Sequence, residues 1–149
     1  MMKIKLCDRE EIEHGIVVRT QYVVISIHDP DRRRAKVKRQ SGLRDVLYLA
    51  FHDAEPSAGF ELPADIALIT PAQADEIRDF VRRHQSDADT IVVHCEQGMS
   101  RSPAVAAAIS DALGLDPRRF WQMHTPNEYV YHMVADAFDR GNAGSGNQE

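Results

Sequence analysis

Apolar positions along this chain switch between two spacings, the short dense runs of buried strands and the three-and-four recurrence of helices with one greasy face. Residues 3–6, 21–28, 45–51 and 90–94 are strand-length runs rich in Val, Ile, Leu and Tyr, with turn-forming residues around them. The intervening stretches carry helix signals. Asp8-Arg9-Glu10-Glu11 opens a short helix that ends near Gly15, and Thr70-Pro71-Ala72-Gln73 is a capping box with proline at the first helical position. Ile77, Phe80, Val81 and His84 continue the latter as a helix over 71–85. Ala104, Val105, Ala108, Ile109, Ala112 and Leu113 give a helix apolar enough to be buried at the centre, ending near Gly114. Asp116-Pro117 starts a short helix bearing the packing aromatics Phe120 and Trp121. Thr125-Pro126-Asn127-Glu128 reads as a further capping box, and Val130, Met133, Val134, Ala137 and Phe138 carry a last helix to about Arg140. Strands alternating with helices predict an α/β fold, a central mainly parallel sheet flanked by helices on both faces. One domain over residues 1–140 accounts for the pattern, with 141–149 a disordered tail.

Composition narrows the class without naming a chemistry. The chain of 149 residues, 43% apolar and 28% charged, is long enough for one well-filled core. No run approaches the roughly 18 apolar residues of a membrane span, and no leader-like stretch opens the chain. Two cysteines, Cys7 and Cys95, offer no disulfide framework, and a free thiol suits a reducing compartment, so a cytoplasmic location is expected. The seven histidines show no metal-ligand spacing, and neither a metal nor another cofactor is expected.

The chemistry is concentrated in one loop. The run at 90–94 meets His94-Cys95-Glu96-Gln97-Gly98-Met99-Ser100-Arg101-Ser102, and a helix begins at once. A strand, a tight loop and a helix N-terminus bring unpaired backbone N–H groups to one point, where they favour an anion. The same N–H dipoles, with a guanidinium nearby, stabilise a thiolate, so Cys95 reads as a nucleophile. Arg101 offers planar donors able to hold two phosphate oxygens together. Gly98 falls where the backbone must curl, Ser102 is placed to hydrogen-bond the departing sulfur, and His94 to orient the start of the loop through its ring N–H.

These residues resemble the His-Cys-x5-Arg-Ser/Thr signature of the cysteine-dependent protein tyrosine phosphatases, most closely the compact dual-specificity branch. The resemblance implies that family's fold and metal-independent phosphomonoester hydrolysis through a cysteinyl-phosphate. It makes Cys95, Arg101 and Ser102 catalytic and Glu96, Gln97, Gly98, Met99, Ser100 and Arg101 the phosphate-binding loop, with His94 supporting. It also implies a phosphorylated protein or other phosphomonoester as substrate, and inorganic phosphate, sulfate or vanadate as ligands of the Cys95 loop. Glu96 and Gln97 stand where inositol-phosphate-hydrolysing relatives often carry lysines, which disfavours a lipid substrate.

A leaving oxygen needs a proton. In an α/β sheet, ligands gather at the carboxyl ends of parallel strands, which puts Asp53, just past the run at 45–51, on the same edge as Cys95. Asp53 is therefore the general acid expected here, with Asp65 the runner-up, since Asp53 lies further from Cys95 in sequence than compact family members usually place it. Asn127 matches the segment through which such members support the phosphate loop, and equally suits a plain helix start. Two other classes keep some of these features: a module that captures phosphorylated partners without turnover, and rhodanese-like sulfur transfer through a loop cysteine. The arginine six residues after Cys95 fits phosphate better than persulfide.

Arg32-Arg33-Arg34-Ala35-Lys36-Val37-Lys38-Arg39 packs six cations into eight residues of a chain whose net charge is -5. It reads either as a solvated loop or as a basic lip guiding a polyanionic substrate. Nucleic acid is disfavoured, because the overall balance is acidic and no stacking aromatics interleave with the cations. Cys7 reads as a small buried hydrophobe, or as a redox partner of Cys95 should the fold bring the two together.

Overall fold

The structure, a computed structural model, describes residues 2–146. Its elements in chain order are β1 (Lys3–Cys7), α1 (Arg9–His14), β2 (Tyr22–His28), β3 (Leu43–Ala50), α2 (Pro71–His84), β4 (Thr90–His94), α3 (Arg101–Ala112), α4 (Arg118–Met123) and α5 (Glu128–Gly146). The four strands form one sheet in the order β1-β4-β2-β3, and every pairing is parallel. The carboxyl ends of all four strands therefore lie on one edge, where the loops after Cys7, His28, Ala50 and His94 meet.

Alternation along the strands splits the core in two. Val23, Ile25, Ile27, Ile91 and Val93 pack with residues of α2, α3, α4 and α5 in the larger cluster. Tyr22, Val24, Val92 and Cys7 pack on the opposite face with Ile12 of α1 and Ala35 of the basic segment. All five residues of β4 are buried, as its place between β1 and β2 requires. In α3 every residue from Arg101 to Ser110 is buried, and the alanines let this helix seat closely between the sheet and α5. α2 instead has one apolar face, burying Ala74, Ile77, Phe80 and Val81, together with His84, whose ring nitrogens meet Asp87 at 3.0 Å and Asp45 at 2.9 Å. At the sheet's outer edge Arg119 of α4 donates a hydrogen bond to the carbonyl of Ile4 on β1.

Two helix starts follow the capping boxes of the sequence: Asp8 and Glu11 exchange side-chain and backbone bonds, as do Thr70 and Gln73. The third does not. The last helix is capped by Asn127 rather than Thr125: Asn127 Oδ1 accepts from Val130 N at 3.0 Å and its carbonyl accepts from Tyr131 N at 3.0 Å. Pro126 thus precedes the cap, and the backbone N–H groups of Thr125 and Asn127 on either side of it are left to contact the Cys95 loop. The expected tail is also corrected, since α5 continues to Gly146. Arg140, at the expected helix end, donates to Asp75 at 2.8 Å, and Arg82 of α2 donates to Asn142 Oδ1 at 2.8 Å, so a contact with α2 reaches a residue that composition alone reads as loose. Residues 147–149 of that tail lie outside the described residues.

Ile109 is fully buried on α3. Ile109→Ala is expected to lower unfolding free energy by about 2–5 kcal/mol, the usual cost of a cavity in a tight core. Val17→Ala, at a side chain 75% exposed, leaves it nearly unchanged. Urea titrations of the two variants check the contrast, and equal midpoints would contradict this packing.

Candidate active site

β4 ends at His94 and α3 begins at Arg101, so the six residues 95–100 turn the chain between a buried strand and a buried helix. Gly98 makes the turn possible with φ +73°, and a Cβ there would meet the Cys7 carbonyl oxygen at 3.3 Å. Gly98 N donates to Cys95 Sγ at 3.2 Å, and Ser102 Oγ, in the first turn of α3, lies 3.3 Å from the same sulfur. Both contacts stabilise negative charge on sulfur. Cys95 itself is 3% exposed and forms part of the wall of a cavity of about 400 Å³, which Asp29, Arg32, Asp53, Met99 and Arg101 also line.

Arg101 is 5% exposed, and its fixed orientation has identifiable causes. Nη1 donates to Asp29 Oδ1 and to the Phe51 carbonyl, both at 2.7 Å. Nε is buried and has no partner among the described residues. Nη1 is thus consumed by protein, while the buried Nε is a donor left unpaired among the described residues. Asp29 was missed in the sequence, where it reads only as part of the turn after residues 21–28. The rule that located Asp53 would have located it too, because it follows a strand on the same sheet edge.

Asp53 comes to the cavity and Asp65 does not: Asp65 is exposed and outside the lining. Asp53 Oδ1 accepts from Ser100 Oγ and from Asn127 Nδ2, each at 2.9 Å, and Asn127 Nδ2 also donates to the Ala54 carbonyl at 3.2 Å. Asn127 thus acts in two directions, its Oδ1 capping α5 while its Nδ2 holds the Asp53 loop. The next carboxylate, Glu55, accepts from Glu128 N at 2.6 Å and Tyr129 N at 3.3 Å, so the loop is seated on the α5 N-terminus. The entry to α5 also supports the Cys95 loop, with Thr125 N donating to the Met99 carbonyl and Asn127 N to that of Ser100, each at 3.1 Å.

The remaining loop residues divide into wall and scaffold. Gln97 and Met99 are exposed at the rim. Glu96 points its carboxylate at two arginines, Arg9 Nη1 at 3.0 Å and Arg32 Nη1 at 2.9 Å. His94 is fully buried, and burial holds its ring below the ordinary value of 6.5. Its Nδ1 lies 3.1 Å from the Cys95 carbonyl, which can only accept, so Nδ1 carries the proton and Nε2 accepts from Ser26 Oγ at 2.6 Å. Cys7 does not join the site. It packs in the α1-side cluster while Cys95 packs in the other, and burial pushes its thiol up to about 12. Among the described residues no group of three or more His, Cys, Asp or Glu side chains is arranged to hold a metal ion, and no helix is long and apolar enough to cross a membrane.

No family model matches the sequence, and no curated protein matches it. Solved structures do match the fold. The chain is similar to a mouse putative dual specificity phosphatase complexed with zinc tungstate, with a TM-score of 0.61 and 16% identity over 95% of this chain and 86% of that one. It is similar to PTPMT1, TM-score 0.54 and 14% identity, over 97% of this chain and 95% of that one. A human tyrosine phosphatase-like serine/threonine/tyrosine-interacting protein also matches, with a TM-score of 0.52 and 19% identity over 77% and 74% of the two chains. The fold is that of the protein tyrosine phosphatases in their compact, dual-specificity-like form.

Two expectations follow from the loop. Gly98→Ala puts a side chain into a left-handed backbone conformation against the Cys7 carbonyl and is expected to cost about 1–2 kcal/mol of stability; an unchanged denaturation midpoint would contradict the tight turn. His94 and His28 are both held below 6.5 by burial, so below that pH the unfolded chain takes up protons that the folded chain refuses. Stability is therefore full above pH 6.5 and falls as the pH drops through and below it. Urea midpoints measured across this range should show the decline, and a shallower one in His94→Gln; a flat profile in the wild type would refute the buried neutral rings.

Proposed function

We propose that the chain hydrolyses phosphomonoesters through a cysteinyl-phosphate, with phosphorylated tyrosine, serine or threonine of proteins as substrate. The observation that carries this reading is Arg101: a buried guanidinium locked by Asp29 and the Phe51 carbonyl, with a free Nε, in the wall of the cavity that holds the Cys95 sulfur. A thiolate and a rigid fork of donors at one place suit a tetrahedral dianion better than any other common ligand. Tungstate, a tetrahedral oxyanion, accompanies one of the similar structures.

In the first step the Cys95 thiolate attacks phosphorus and the bond to the ester oxygen breaks. Arg101 and the loop N–H groups hold the non-bridging oxygens, and Asp53 gives its proton to the leaving oxygen. Ser100 and Asn127 both donate to Asp53 Oδ1, which leaves Oδ2 as the atom that carries and delivers the proton. In the second step the Asp53 carboxylate takes a proton from water, the water oxygen bonds phosphorus, and the phosphorus–sulfur bond breaks. Gly98 N and Ser102 Oγ receive the thiolate, and inorganic phosphate departs. Every group in this sequence is a side chain or backbone group of the protein, so no metal or other cofactor is required.

Hydrolysis of an aryl phosphate in the presence of a chelator tests the scheme. Cys95→Ser is expected to abolish turnover, and Arg101→Lys to lower kcat/KM by about 10²–10³, the scale of losing a preorganised charge clamp. Asp53→Asn should lower kcat by about 10²–10⁴ and flatten the limb of the pH–rate profile on which activity falls as the acid loses its proton. Asp65→Asn leaves both unchanged. A wild-type protein that binds vanadate yet releases no phosphate would replace hydrolysis by phospho-partner capture.

A further inference from the structure

We propose that residues 32–39 are a docking track for an acidic stretch of the phosphorylated protein, continuous with the phosphate site; the proposal rests on the phosphatase reading of Cys95. The track begins in the site itself, because Arg32 lines the Cys95 cavity with its Nη1 on Glu96. From there the backbone runs on without helix or strand and is fastened to the α1 side of the molecule. Ala35 is buried against Ile12, Lys36 N donates to Glu13 Oε2 at 2.9 Å, and Lys38 N donates to the Ile12 carbonyl at 3.2 Å. Arg34 stacks 4.2 Å from the centre of the Tyr48 ring. The cations are thus displayed from a fixed backbone, which lowers the ordering cost of binding.

Their pairing is the second observation. Outside the track, Arg9, Arg44, Arg78, Arg83, Arg101, Arg118 and Arg140 each contact a carboxylate, whereas Lys3, Lys5, Arg19, Arg82 and Arg119 do not among the described residues and are spread over the rest of the chain rather than clustered in one run. Within the track only Arg32 contacts a carboxylate among the described residues, and Arg33, Lys36 and Arg39 are exposed. An acidic chain that leaves these neighbouring cations unmatched presents a local positive stripe, which an acidic segment complements. Eight extended residues span about 25 Å, so the matching carboxylates fall within several residues of the phosphorylated side chain. A bilayer is the poorer occupant, because the large exposed apolar side chains Val17, Phe60, Leu62, Met99, Trp121 and Met123 all lie outside the track.

The test uses two fluorescent phosphotyrosyl peptides that differ only in carrying Glu or Gln around the phosphotyrosine. Binding is read by anisotropy on Cys95→Ser protein with and without Arg33→Gln, Lys36→Gln and Arg39→Gln combined. The Glu peptide is expected to bind roughly three- to tenfold tighter at low salt, a margin in keeping with a few exposed ion pairs. That margin should shrink between about 50 and about 300 mM salt and vanish in the triple variant. Aryl phosphate turnover by the triple variant with Cys95 intact should equal that of the wild type. Equal binding of the two peptides, or a preference that survives the triple variant, overturns the proposal. So does track-dependent binding to anionic vesicles without peptide discrimination. If the wild type fails to turn over aryl phosphate while the Glu preference and its loss persist, the docking track stands and the hydrolytic reading falls.

Discussion

A guanidinium stripped of water is among the most expensive groups a fold can contain, and the pairing of Arg101 with Asp29 and the Phe51 carbonyl is the constraint around which this one is built. The three partners come from three places: the turn after β2, the residue after β3 and the first residue of α3. Only a sheet whose strands all run the same way delivers their ends to one edge. Protein satisfies Nη1 of the arginine and leaves the buried Nε without a partner among the described residues.

The second centre is the entry to α5, which serves several loops at once. Asn127 caps the helix, restrains Asp53 and Ala54, and meets the Ser100 carbonyl through its backbone. Glu55 takes the next two helix N–H groups. The Asp53 loop and the Cys95 loop, distant in sequence, therefore share one support. Such sharing holds the Asp53 carboxylate and the Cys95 sulfur in register more firmly than two independent loops would.

Much of this was readable from residue spacing. The strands, the capped starts of α1 and α2, and the buried helix after Cys95 follow from local pattern, as does the tight turn from β4 into α3 that holds Cys95. What escaped was settled by contacts between distant segments. Asn127 rather than Thr125 caps the last helix because a carboxylate and a carbonyl from residues 53 and 54 claim its amide nitrogen. Residues 141–146 stay helical beside the arginine-bearing face of α2, although their glycines argue for a loose tail. Asp29 looked like an ordinary turn former, and only its place opposite Arg101 gives it a role. The two cysteines follow the same logic in reverse, since alternation along the strands sends Cys7 to the face that Cys95 does not share.

The bond from Arg119 to the Ile4 carbonyl bears on how the chain avoids its own copies. Lys3 N points inward, to Asp89, so the polar groups of Ile4 are the ones that β1 turns toward solvent. An unguarded row of that kind is a template on which another strand can add, most dangerously while the molecule is only partly assembled. With the carbonyl occupied and a guanidinium across it, flanked by the ammonium groups of Lys3 and Lys5, an incoming strand meets both a missing acceptor and a charge it would have to desolvate. α4 thus guards this edge at Ile4, from outside the wall of the Cys95 cavity.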